Sequence, residues 1–178
     1  MIHILHILCI GLAPMTLLGQ LLIAEIADPV NNDLARFIEI YNRSANAVDL
    51  SDYKLVRWTN GNSTYTATTA IDLTDSGTLL PGSFLVIGAN ADAFNVSFGE
   101  QPDLAYGNNG PANSNGNDQI AILRGETIID IFGVPGEDGV NTCHDFTDGR
   151  VERKPHVLKS NATFDESEWN VGGTGNPI

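Results

Sequence analysis

Basic residues are scarce in this sequence. Nine Lys and Arg stand against 22 Asp and Glu, a formal net charge of -13, and the isoelectric point is near 4.4. Binding along a phosphate backbone needs cationic side chains that displace condensed counterions, so direct nucleic-acid binding is not expected. Anionic membrane surfaces are disfavoured on the same ground, while solubility and divalent cations are favoured. Cysteine is scarcer still, at Cys9 and Cys143. Cys9 lies in the apolar stretch MIHILHILCIGLAPMTLLGQ, which holds no Asp, Glu, Lys or Arg. Gly11, Pro14 and Thr16 interrupt that stretch, so residues 1–20 read as a signal peptide rather than a membrane span, although His3 and His6 stand where Lys or Arg is the rule. Removal of that segment leaves Cys143 as a lone thiol with no intrachain disulfide, no membrane span, and a fold that rests on its core.

Other absences narrow the chemistry. There are no a/d heptads, no fixed-period repeat and no long linker. H-E-x-x-H, G-x-S-x-G and C-x-x-C are all missing. His144 and His156 remain outside the N-terminal segment, and a dyad of the adjacent Cys143 and His144 is geometrically awkward, because neighbours on a strand point to opposite faces. Asp145 beside them raises a thiol pKa rather than lowering it. No catalytic residue is assigned, and no cofactor is expected.

Hydrophobic residues make up 42% of the chain, enough for a core, and from Leu21 their period is two. LLIAEIA, RFIEIYN, VDLSDYKLVRWT, SFLVIGA and the pair QIAILR and ETIIDIF read as strands. The Asn60-Gly61 pair predicts a hairpin turn with positive φ angles, followed by a Thr-rich strand over 63–73. A mixed pattern over 90–106 leaves a short helix or a loop open. In the hairpin around Arg124-Gly125-Glu126, Ile120 and Ile122 point to the core, and Ile129 and Ile131 return to the same core. Asn117 and Asp118 close the preceding polar loop through Asx turns. GRVERKP reads as the last strand, and Trp169 in the tail is placed to dock back. Short strands at regular spacing predict an all-β antiparallel sandwich over 21–155, with a tail over 156–178 packing on it.

In order, IAEIADP, RFIEIYNRSANAVDLSDYKL, GTLLPGSFLVIGA, SNGNDQIAIL and GETIIDIFG resemble the lamin tail domain family. The resemblance implies an immunoglobulin-like β-sandwich of the prokaryotic, secreted or cell-surface type. It supplies no catalytic residue. One departure is Asp52, where the family's turn has Gly; a type II turn there wants a positive φ that Asp tolerates less well.

The remaining candidates are weighed by their chemistry. The loop DPVNND offers Asp28, Asn31, Asn32 and Asp33 as oxygen ligands, with Glu25 and Glu39 near the same hairpin. Ca²⁺ takes about six to eight oxygens, but no EF-hand spacing is present, and Asx loop and cap chemistry is the competing reading. Asn42, Asn62, Asn95 and Asn161 begin N-x-[ST] sequons, usable only in a eukaryotic host. Arg150, Arg153, Lys154 and Lys159 form the basic stretch, read as protection of a terminal edge strand or as contact with an anionic partner. Together these features predict a non-enzymatic, secreted or cell-surface module that binds a protein or surface partner. The alternatives are an accessory domain of an extracellular hydrolase such as a nuclease, or a calcium-dependent adhesion module.

Overall fold

The two-residue alternation becomes a set of short strands in the computed structural model, which describes residues 21–173. The signal-peptide reading of residues 1–20 falls outside the described residues. In chain order the elements are β1 (Leu21–Ala27), β2 (Phe37–Asn42), β3 (Val48–Asp49), β4 (Tyr53–Trp58), β5 (Ile71–Asp72), β6 (Thr78–Leu79) and β7 (Phe84–Gly88). Then come α1 (Ala91–Phe98), β8 (Leu104–Ala105), β9 (Gln119–Arg124), β10 (Thr127–Phe132), β11 (Arg150–Arg153) and β12 (Trp169–Gly172). The larger sheet runs β12-β11-β1-β2-β7-β8 and the smaller β10-β9-β4-β5, while β3 and β6 form a separate ribbon. Pairing is antiparallel apart from β7 with β8. This is an all-β, immunoglobulin-like antiparallel sandwich.

The core lies between the sheets. Leu21, Ile23, Ile38, Ile40, Ile87 and Val151 from the larger sheet meet Leu55, Ile120, Ile122 and Phe132 from the smaller. The smaller sheet also buries its outer face, where Val56, Trp58, Ala121, Leu123 and Ile131 cluster under Tyr65, Ala70 and Phe164. That second burial explains a strand that does not form. Asn60 and Gly61 do take positive φ, at 48° and 73°, and Asn62 N–H donates to the Thr59 carbonyl. The Thr-rich segment then leaves the sheet, forms a 3-10 turn at Ala67–Thr69 and returns only as β5. It is needed as a cover: Tyr65 lies edge-on to Trp58, with ring centroids 5.5 Å apart.

The β9–β10 hairpin departs from simple alternation in one place. Its register shifts between Ile128 and Asp130, as a bulge requires. Ile129 therefore packs toward the main core, whereas Ile131 joins the outer cluster instead of the same core. Asp130, between them, is fully buried. Its carboxylate accepts from Ile23 N–H at 2.7 Å and Asn161 N–H at 2.8 Å, and it pairs with Arg153.

Arg153 is thus interior, paired also with Glu168 and stacked 3.7 Å from the Trp169 ring. It guards no edge, because β11 lies between β1 and β12, and β12 rather than β11 ends the described sheet. Trp169 docks back as the sequence suggested, and it is buried. Asn117 and Asp118 hold the polar loop by distant contacts instead of Asx turns. Asp118 accepts from Asn60 N–H at 3.1 Å and pairs with Arg57 at 3.3 Å, and the Asn117 amide donates to Asp138. Asp52 keeps a negative φ, so the turn that returns Tyr53 N–H to Leu50 never needs the missing glycine.

Candidate binding face

The outer face of the larger sheet is built by β1, β2, β7 and β11. In β2 the alternation puts Ile38 and Ile40 into the core and Phe37, Glu39 and Tyr41 outside. A register shift between Ile23 and Glu25 turns Glu25 outward opposite Glu39, and β11 sets Glu152 on its other side. Three glutamates from adjacent strands thus form one row. Like charges directly opposite on a sheet repel.

Only part of this charge is compensated. Arg150 lies 3.5 Å from Glu25 and 3.2 Å from Glu152. Glu39 has no ion-pair partner among the described residues. Burial, then Glu39, pushes the Glu25 carboxyl up to about 7, with Arg150 opposing. Burial and Glu152 raise Glu39 as well. The nearby cations are turned elsewhere: Arg43 donates to the Pro155 carbonyl and Lys154 to the Ser167 carbonyl.

Clefts flank the row. One, of about 430 Å³, is lined by Glu25, Glu39, Glu152, Tyr41 and Phe84 among others. Tyr41 and Phe84 stack there at 4.5 Å, and Phe84 is 50% exposed. The other, of about 630 Å³, is lined by Glu25, Ala27, Val30, Phe37 and Phe98. It owes its wall to α1. Asn90 caps that helix by accepting from Ala93 N–H, and Gly99 ends it at φ 80°, the left-handed conformation that glycine adopts without strain. Phe94 and Phe98 then close on Phe37 at 5.4 and 5.3 Å. Val30 and Val96 remain 73% and 83% exposed nearby.

The predicted site residues fall elsewhere. Asp28 is buried, with one carboxylate oxygen 2.6 Å from Arg36 Nε and the other accepting from Asp148 N–H. Asn31 and Asp33 are exposed on the loop, and Asn32 donates to Ser97. Among the described residues no group of three or more His, Cys, Asp or Glu is placed to hold a metal ion. Of the sequon residues, Asn42 is fully buried, donating to the Asn46 and Leu79 carbonyls and accepting from Ser44. It is a structural hub with no room for a glycan on the folded chain. Asn161 donates to Glu168 and Asn95 lies within α1, leaving Asn62 exposed in its turn. Cys143 is exposed, and its thiol is pushed up by burial and by Glu166, the opposite of what a nucleophile needs. His144 is buried, and burial lowers its pKa. No described helix is long and apolar enough to cross a membrane.

The glutamate row depends on strand register: Glu25 and Glu39 are readable as acids near one hairpin, and Glu152 joins them only through β11.

The family model described as Lamin Tail Domain matches residues 15–136, and β11 and β12 lie beyond the matched residues. No curated protein matches the chain. Among solved structures, the chain is similar to a DUF4876 family protein from Bacteroides thetaiotaomicron. The identity is 14% and the TM-score 0.51, over 90% of this chain and 69% of that one. At that identity the likeness speaks to fold alone.

Proposed function

The chain belongs to the lamin tail domain family, and on that premise we propose that it is a non-enzymatic binding module, secreted or displayed at a cell surface. It contacts a protein partner through the outer face of its larger sheet. The observation that carries this reading is the uncovered face itself: exposed apolar side chains border a half-buried carboxylate, Glu39, that has no ion-pair partner among the described residues. Neither feature helps an isolated domain, because unpaired half-buried charge and exposed apolar area both work against it. The apolar stretch over residues 1–20 supports export.

The test is a paired capture from the extracellular and envelope fraction, using the wild-type chain and a Glu39→Lys/Phe98→Asp variant shown by cooperative unfolding to be folded. The wild type retains a partner that the variant loses. Equal capture by both removes this face from the account, and a partner mapped to the opposite sheet does the same.

A further inference from the structure

The geometry of the face narrows what can occupy it. Successive outward residues on β2 are Phe37, Glu39 and Tyr41. Alternate residues on a strand stand about 6.6–6.8 Å apart, so Glu39 and Tyr41 open to the face at a strand's own period, while Phe37 is buried beneath Phe94 and Phe98 and the exposed apolar groups at its end are Phe98 and Val30. Glu25 lines both clefts, so each of them adjoins the glutamate row. Within the row the charge is unbalanced, since Arg150 serves Glu25 and Glu152 and Glu39 has no ion pair among the described residues; Arg43, Arg153 and Lys154 also line the cleft at Tyr41, where Arg43 and Lys154 are bonded to the Pro155 and Ser167 carbonyls and Arg153 to Asp130 and Glu168.

We propose that the occupant is an extended polypeptide segment carrying a Lys or Arg flanked, two residues away on each side, by apolar side chains. The inference rests on the binding-face reading above and deepens it. The cation settles between Glu39 and Glu25, and the apolar residues enter the cleft at Tyr41 and Phe84 and the cleft at Phe37, Phe98 and Val30. Charge complementarity selects the class at two scales. Locally, an incoming cation relieves the repulsion within the row. Globally, a chain of net charge -13 attracts a basic partner and repels a second copy of itself. A metal ion leaves both apolar clefts without a role, and among the described residues the carboxylates do not converge as ligands.

Amide shift mapping on the isotope-labelled full chain tests this. The probes are blocked peptides of sequence Thr-Leu-Thr-Lys-Thr-Leu-Thr, its counterpart with Glu in place of Lys, one with Lys moved beside a Leu, and CaCl₂ alone. The first peptide shifts amides of β1, β2 and β11, and Glu39→Gln weakens it about tenfold, roughly the effect of losing one favourable charge contact. The Glu peptide shifts none of them, and the displaced-Lys peptide binds more weakly. No shift with the first peptide at millimolar concentration overturns the proposal. So do shifts indifferent to the central charge, or the same shifts with CaCl₂ or with increasing protein concentration alone. If the peptides fail while natural capture still depends on Glu39 and Phe98, the face stands and the occupant pattern falls. If capture is also indifferent, both fall.

Discussion

The outer face of the smaller sheet is closed by the chain's own segments, whereas among the described residues that of the larger sheet is covered only in part, by α1 against Phe37 and by the segment of Pro155 and Val157 beside Leu22 and Tyr41. On the closed face, Trp58, Leu123 and Ile131 lie under Tyr65, Ala70 and Phe164. On the open face, a row of glutamates runs between clefts that nothing in the described chain fills. The strand sequences record the difference. β9 reads QIAILR and is buried on both sides up to Arg124, as strands covered on both faces are. β2 reads FIEIYN, and on its outward side Glu39 and Tyr41 are partly exposed while Phe37 is covered by α1. A face built for stability alone would pair its charges. This one leaves Glu39 without an ion pair among the described residues and Glu25 raised to about 7.

Substitutions break the comparison in graded steps. The largest effect is expected at Asp130, whose carboxylate ties the strap at Asn161 to β1 and to Arg153. Asp130→Ala leaves Arg153 buried without this partner and costs about 3–5 kcal/mol, read as a fall in the urea midpoint at unchanged slope. Trp58→Ala opens the closed face and costs about 3 kcal/mol, with the midpoint again as the measure.

On the open face the sign reverses. Glu25 has a folded value of about 7 against an ordinary 4.5. The folded state therefore holds a proton that the unfolded state releases, and stability falls as pH rises from 4.5 through about 7. Glu39, Glu152 and Arg150 face this group. Glu25→Gln removes this group's share of the slope, leaving the shares of Glu39 and Asp130, whose carboxyls burial also raises, and, with solvent screening allowed for, adds about 1 kcal/mol at pH 8. Thermal unfolding across pH 5–8 checks it: a variant that keeps the wild-type slope contradicts the assignment. The smallest effect belongs to Phe84→Ala, which loses a stack on Tyr41 at a half-exposed position and costs about 0.5–1 kcal/mol in thermal unfolding.

Much of the fold was legible because it depends on local pattern. The alternation in β2, the turn at Asn60-Gly61 and the hairpin at Gly125 are each fixed by a few neighbouring residues. What escaped depends on contacts distant in sequence. The Thr-rich segment has the composition of a strand, but the apolar outer face of β4 and β9 recruits it as a cover. A bulge at Ile128–Asp130 sends Ile131 to the other cluster. Arg153 looks like a surface cation until Asp130, Glu168 and Trp169 gather around it. Of the candidate face, Glu25 and Glu39 were legible as acids near one hairpin, but nothing in the chain order places Glu152 beside them. The loop residues Asp28, Asn31 and Asp33 attracted notice by composition, but Asp28 is held by Arg36 and the Asp148 amide.

The most direct measurement applies one substitution to both properties of the open face. Glu39→Lys places a cation within the glutamate row, so the isolated protein should melt at a higher temperature than wild type. The same variant should lose the partner that the wild-type chain retains. A variant that melts lower and captures the partner as well as wild type would contradict the account.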